Sequence, residues 1–178
     1  MIKFIKLKID RKNQKYNNIQ FLEDVFNLYS RFEKYLNDDY GKSNSLLDML
    51  ISLVERNTPF FWVIQKDNKF AGFVFLENII GSDDKLHSAE ITTCFKEEYW
   101  GHFTKLAARK FIRYCFKKLG FKKLKALVYR ENFRVTSILK SAGMELEAEL
   151  KAETMREGKM QDVMVYSILN QGKKRKSI

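Results

Sequence analysis

Residues Glu90–Gly120 read EITTCFKEEYWGHFTKLAARKFIRYCFKKLG, and the rest of the chain is read outward from them. Ser88–Phe95 is strand-like, Lys96–His102 is a turn with one glycine, Gly101, and Phe103–Leu119 has helical periodicity. A strand that ends in a tight turn and passes into a helix aims unused backbone N–H groups at one point, with the helix dipole behind them. Such a point holds an anion, most often phosphate. With a single glycine, the same residues also read as an ordinary strand–loop–helix connection.

On the N-terminal side, Ile2–Ile9 alternates apolar residues with lysine and predicts a strand, and Asp10–Asn18 reads as a turn. Ile19–Leu36 places Phe21, Leu22, Val25, Phe26, Leu28, Tyr29, Phe32 and Leu36 at helical spacing. Asn37–Lys42 breaks that helix, and Ser43 or Asn44 can cap a second one over Ser45–Glu55. Pro59 ends the helical region. Phe60–Gln65 and Phe70–Ile79 predict a hairpin around Lys66–Lys69, with Gly81–Lys85 a loop before the strand Leu86–Phe95. On the C-terminal side, Gly120 stops the helix and Lys122–Tyr129 is a strand. Asn132–Ala142 is a short helix stopped by Gly143, and Glu145–Thr154 and Gln161–Leu169 are two strands around Arg156–Lys159. The order β-α-α-β-β-β-α-β-α-β-β predicts one α/β (α+β) domain over 1–170, with about seven strands, about four helices, and a basic, disordered tail at 171–178.

Composition narrows the class. The 178 residues suffice for one real core, and 45% hydrophobic content argues against disorder. Cys94 and Cys115 have no metal-ligand spacing and make no disulfide framework, so no metal is expected and a reducing, cytoplasmic setting is. MIKFIKLKIDRK is broken by lysines and is no signal peptide, and no apolar run is long enough to span a membrane. The formal net charge of +11 fits an acidic partner such as nucleic acid, a ribosomal surface or a polyanionic cofactor, and fits equally a lysine-rich coding bias.

These residues resemble the GNAT superfamily of N-acetyltransferases, in particular the branch with the ribosomal-protein N-terminal acetyltransferases. Ala89-Glu90-Ile91, Tyr99-Trp100-Gly101 and Cys115–Gly120 match the family's AEIGY strand, Y-W-G-x-G turn and AF-x-x-LG helix end. Glu131, Asn132, Leu139 and Gly143 match its next motif, and Gly158, Asp162, Val165 and Tyr166 its last. The resemblance implies a mixed, mostly antiparallel sheet and acetyl transfer from acetyl-CoA to a primary amine, either a protein N-terminus or a small amine. It implies that Thr93, Cys94 and Phe95 offer backbone groups to the pantetheine arm, that Gly101, His102, Phe103, Thr104 and Lys105 cradle the pyrophosphate, and that Asn132 bonds the arm. The chain departs from the family in two respects. Its turn, Gly101-His102-Phe103, is one residue short and lacks the second glycine; Val135 and Leu139 stand where a small residue and a tyrosine occur in relatives. Phe103 falls on the apolar residue that follows the second glycine in the family; if the backbone there still needs φ > 0, a non-glycine residue costs roughly 1–2 kcal/mol.

The amine must be neutral to attack a thioester. At pH 7 deprotonation costs on the order of 1 kcal/mol for an α-amine and about 4.6 kcal/mol for a lysine. Glu90 is the candidate base, and also reads as a strand glutamate facing a lysine. His87, His102 and the late-strand Glu147, Glu149 and Glu153 are further titratable candidates; Cys94 reads as a buried strand cysteine before a nucleophile. Two other readings stay open. One is a GNAT-fold binding module whose shortened turn has lost the cofactor. The other is a nucleic-acid binder, for which no recognition-helix motif is present.

Overall fold

The computed structural model describes residues 1–40, 45–82 and 84–171. Seven strands form the main sheet: β1 (Ile2–Lys6), β4 (Phe61–Lys66), β5 (Lys69–Ser82), β6 (Lys85–Phe95), β7 (Lys123–Tyr129), β8 (Glu145–Arg156) and β9 (Lys159–Leu169). Two short strands, β2 (Lys8–Asp10) and β3 (Lys15–Asn17), pair as a separate hairpin. The main sheet runs β1-β4-β5-β6-β7-β9-β8. All its neighbours are antiparallel except β6 and β7, which are parallel and joined by a helical crossover.

Helices α1 (Leu22–Leu36) and α2 (Leu46–Arg56) cover one face of the sheet, and α3 (His102–Tyr114) and α4 (Phe133–Ser141) the other. Strand β4, between β1 and β5, is buried on both sides, so it reads as a continuous apolar run. Its alternation still divides the core. Phe61 and Val63 pack with Val25, Leu28, Leu50 and Val54 under α1 and α2, while Trp62 and Ile64 pack with Ala107, Phe111 and Ile112 of α3. Trp62 meets Phe111 edge-on at 5.1 Å.

Several predicted boundaries move. The opening strand does not run to Ile9. At Leu7, which is fully buried, the chain bonds to Phe61 O and leaves the main sheet for the β2–β3 hairpin, which occupies part of the predicted 10–18 turn. The predicted caps Ser43 and Asn44 lie outside the described residues, as does the tail at 172–178; Ser45 caps α2, its hydroxyl accepting from Asp48 N–H at 3.2 Å. The β5–β6 hairpin extends through most of the predicted 81–85 loop, reaching Ser82 and Lys85. The helix after Gly101 ends in a π-helical turn, Cys115–Leu119, which periodicity alone reads as α. Gly72 is fixed by close approach: a Cβ there would lie 2.2 Å from Cys94 O, so any side chain would push β5 from β6.

Candidate active site

The site is built where two parallel strands part. β6 and β7 pair at Ser88↔Lys123, Ala89↔Leu124 and Glu90↔Lys125, and there the pairing ends. β5 goes on pairing with β6 as far as Gly72↔Phe95. Residues Ile91–Phe95 are therefore held on one edge and open on the other. Thr93, Cys94 and Phe95 all lie on this open stretch. Strand alternation turns Thr93 toward the α3 face with Ile91 and Phe95, and Glu90 and Thr92 toward the α1–α2 face with Cys94. The Cys94 side chain is buried, and burial pushes its thiol up to about 12. The thiolate needed by a nucleophile is thus not formed near neutral pH.

The open stretch runs into the start of α3. Gly101 stands before the helix with φ 99° and ψ −124°, a conformation that excludes a side chain at low cost. Nothing lies within 4 Å of the place its Cβ would take, so the turn presents bare backbone to open space. The first-turn amides of His102, Phe103 and Thr104 have no carbonyl within the helix, and no acidic residue occupies that turn. The Thr104 side chain is fully buried and its hydroxyl donates to Gly101 O at 2.9 Å, so it braces the turn from below. Phe103 is helical, without positive φ, and its ring packs on Phe95 at 6.3 Å and Tyr99 at 5.4 Å. The shortened turn therefore starts the helix one residue early, and the left-handed residue considered at position 103 is not required. His102 is exposed and Lys105 half-buried.

Trp100 gathers the surroundings. Its indole N–H donates to Phe95 O at 3.1 Å, its ring meets Phe32 of α1 at 5.9 Å, and the Arg134 guanidinium of α4 lies 4.3 Å above it. This brings the start of α4 beside the turn, and with it Asn132. That side chain caps α4, its Oδ1 accepting from Val135 N–H at 3.3 Å.

Glu90 sits at the last paired position before the gap. Lys125 Nζ donates to one carboxylate oxygen at 2.8 Å and Asn78 Nδ2 to the other at 2.8 Å. Opposite it on β5 is Glu77, which the sequence reading passed over. Glu77 is the one charged residue between Phe70 and Ser82, and that isolation was the available signal. Burial raises its pKa against the hydrogen bond that Thr92 Oγ1 donates to it at 3.0 Å, with the Glu90 charge adding to the rise. His87 lies on the paired side of the junction, away from the gap. Glu147 pairs with Lys123 at 2.5 Å and Glu149 with Arg130 and Lys151.

The α1–α2 face has a strap and a roof. Asp39 accepts from Glu157 N–H at 3.1 Å and Gly158 N–H at 2.8 Å, and Asp38 accepts from Thr154 Oγ1 at 2.6 Å. The end of α1 is thereby tied to the β8–β9 turn. Arg156, largely buried there, stacks on Tyr129 at 4.3 Å, lies over Tyr35 and pairs with Glu131. A separate groove of about 460 Å³, lined by Arg109, Arg113, Phe116 and Gly143, lies at the far ends of α3 and α4 and has no part in this site.

A mixed sheet whose parallel strands separate in front of a helix N-terminus defines an acetyltransferase architecture. The family model for the acetyltransferase (GNAT) domain matches residues 20–145, and the chain belongs to the GNAT acetyltransferase family. No curated protein is similar enough in sequence to match. Among solved structures, the chain is similar to spermidine N-acetyltransferase from Vibrio cholerae in complex with CoA and spermine. That match has 21% identity and a TM-score of 0.72, covering 94% of this chain and 95% of that one. It is similar to ribosomal-protein-S5-alanine acetyltransferase from Vibrio fischeri at 18% identity and TM-score 0.72, covering 96% and 93%. It is also similar to a GNAT-family acetyltransferase from Bacillus anthracis at 17% identity and TM-score 0.71, covering 94% of each.

Proposed function

We propose that the protein moves an acetyl group from acetyl-CoA to a primary amine. The observation that carries this reading is the gap between β6 and β7 after Glu90↔Lys125, open directly toward the Gly101 turn. A linear amide-bearing arm can pair with the free edge of β6 in the manner of a short strand. A pyrophosphate suits the bare Gly101 backbone and the first amides of α3, where dipole and donors converge. In this reading Thr93, Cys94 and Phe95 serve through their backbones, and Gly101, His102, Phe103, Thr104 and Lys105 form the phosphate cradle. Asn132, whose Oδ1 already caps α4, has only its amide nitrogen to offer. Acetyl-CoA supplies an activated acyl group; the protein's own residues hold the arm, exclude water and take up the amine's proton. Glu90 stands at the mouth of the gap, a carboxylate braced by Lys125 and Asn78.

The acceptor enters from the α1–α2 face, under Arg156 and Tyr129. Amines are the acceptors named for two of the similar structures, a polyamine in one and a protein alanine in the other. A protein N-terminus or a small amine fits the open face here.

Calorimetric titration of CoA tests the reading. We expect binding at millimolar CoA or below, with wild type stabilised by about 2.7 kcal/mol at one hundred times the Kd. Absence of binding at millimolar CoA would overturn it.

A further inference from the structure

Glu77 and Glu90 are directly opposed on neighbouring antiparallel strands, so both carboxylates stand on the α1–α2 face, a few ångströms apart. Their surroundings differ. The two oxygens of Glu90 are committed, one to the Lys125 ammonium and one to the Asn78 amide. That second bond depends on a β-bulge: register shifts just after Glu77, and Asn78 takes φ 48°, which swings its amide onto Glu90. Glu77 has a single hydrogen bond, from Thr92, to its Oε1. Among the described residues no hydrogen bond reaches the second oxygen of Glu77, and the one fully buried side-chain polar atom without a partner belongs to Arg156. Thr92 is the first residue past the β6–β7 junction on this face. An amine coming from the α1–α2 side toward the gap therefore passes the free oxygen of Glu77.

Resting on the acetyl-transfer reading, we infer that Glu77 is the proton acceptor of the reaction and that Glu90 is the fixed anion that positions and tunes it. The acceptor arrives as a primary ammonium, drawn by two carboxylates of which one is neutralised by Lys125. Its proton passes to the free oxygen of Glu77. The nitrogen lone pair then forms the N–C bond to the acetyl carbon, the C–S bond breaks with its electron pair going to the CoA sulfur, and the nitrogen's second proton passes to that sulfur, so that the amide and the CoA thiol leave. The groups facing Glu77 are Tyr29 from α1, Arg56 from α2, and Glu90 with Thr92 from β6. Burial and the Glu90 charge raise its proton affinity, and Arg56 and Thr92 oppose them. A carboxylate so placed is a better proton acceptor than one held by an ammonium.

Glu77→Gln and Glu90→Gln test this, with acetyl-CoA as donor and spermidine or an alanine-terminated peptide as acceptor, following release of the CoA thiol. We expect Glu77→Gln to lower kcat at pH 7 by about 10²–10⁴-fold with the KM for acetyl-CoA unchanged, the loss shrinking toward pH 9. Glu90→Gln removes the tuning charge but leaves the acceptor oxygen, so its loss in kcat should be the smaller of the two. Glutamine still accepts from Thr92 and buries no charge. The melting temperature of Glu77→Gln at pH 7 should therefore be no lower than wild type, whereas a merely structural glutamate would lose stability and keep its rate. A carbon-13 carboxyl titration reads Glu77 without turnover, and should place it above the ordinary glutamate range, because burial and the Glu90 charge raise it. Full activity in Glu77→Gln, or a Glu77 that titrates no higher than an ordinary glutamate, would overturn the assignment while CoA binding stands. Failure of CoA binding would overturn the transfer reading and this proposal together.

Discussion

At the scale of single residues, position 103 carries the clearest departure from the family. The family's turn has a second glycine just before this position, and its loss suggested a strained backbone. The strain is absent because α3 begins at His102, so Phe103 is an ordinary helical residue with an aromatic ring packed on Phe95 and Tyr99. Restoring the glycine should therefore harm the protein. Phe103→Gly removes a half-buried ring and adds a helix penalty, together about 2–4 kcal/mol. Urea unfolding should show that loss, and calorimetry should show no tighter CoA binding; tighter binding would mean that the phosphate cradle needs the flexibility after all. Gly101 is the opposite case. Its φ of 99° requires glycine even though the space beside it is open, so a substitution acts by backbone strain.

At the scale of elements, α4 is short, and its first turn depends on Asn132. Asn132→Ala removes the Oδ1 bond to Val135 N–H and should cost about 1 kcal/mol in a urea or thermal unfolding measurement. Asn132→Asp keeps the acceptor and should restore that stability. If the amide nitrogen also bonds the cofactor arm, the aspartate should bind CoA more weakly than wild type at equal stability. Equal CoA affinity in the two proteins would limit Asn132 to capping. The basic face of α3 also acts locally. Arg109 Nε donates to Ser141 O at 2.7 Å and Lys110 Nζ to Ile2 O at 3.0 Å, so two of its cations staple the helix to α4 and β1.

At the scale of the whole molecule, charge sets the pH response. Asp10, Glu55, Asp67, Glu147 and Asp162 all have their pKa lowered by hydrogen bonds and cations. A carboxylate lowered in the folded state contributes stability above its unfolded pKa and loses it as pH falls through the folded value. Glu77 runs the other way: its contribution is present at low pH and lost as pH rises through its folded value. The five outnumber the one, and protonation adds to a net charge already at +11, so the melting temperature should fall from about pH 5 to pH 3. Asp67 and Glu147 are exposed and Asp10, Glu55 and Asp162 half-buried, so about 1 M salt should weaken that slope. A melting temperature that is flat or rising on acidification at low salt would overturn this account.

No helix among the described residues is long and apolar enough to cross a membrane. Element order and type were legible from the sequence because period and punctuation are local: apolar residues alternating with lysine from Ile2, a turn between the runs of β4 and β5, helical spacing in α1 and α3, Gly120 and Gly143 as stops. The strand, turn and helix around Gly101 were legible for the same reason, and the phosphate cradle there is a proposal. What only the tertiary structure decided depends on partners distant in the chain. The departure at Leu7, the parting of β6 from β7 after Glu90, and the facing of Glu77 by Glu90 are pairings between segments whose register no single segment encodes. Which of two glutamates keeps a free oxygen was decided by a lysine on one neighbouring strand and a bulged asparagine on the other, brought together only when the sheet closed.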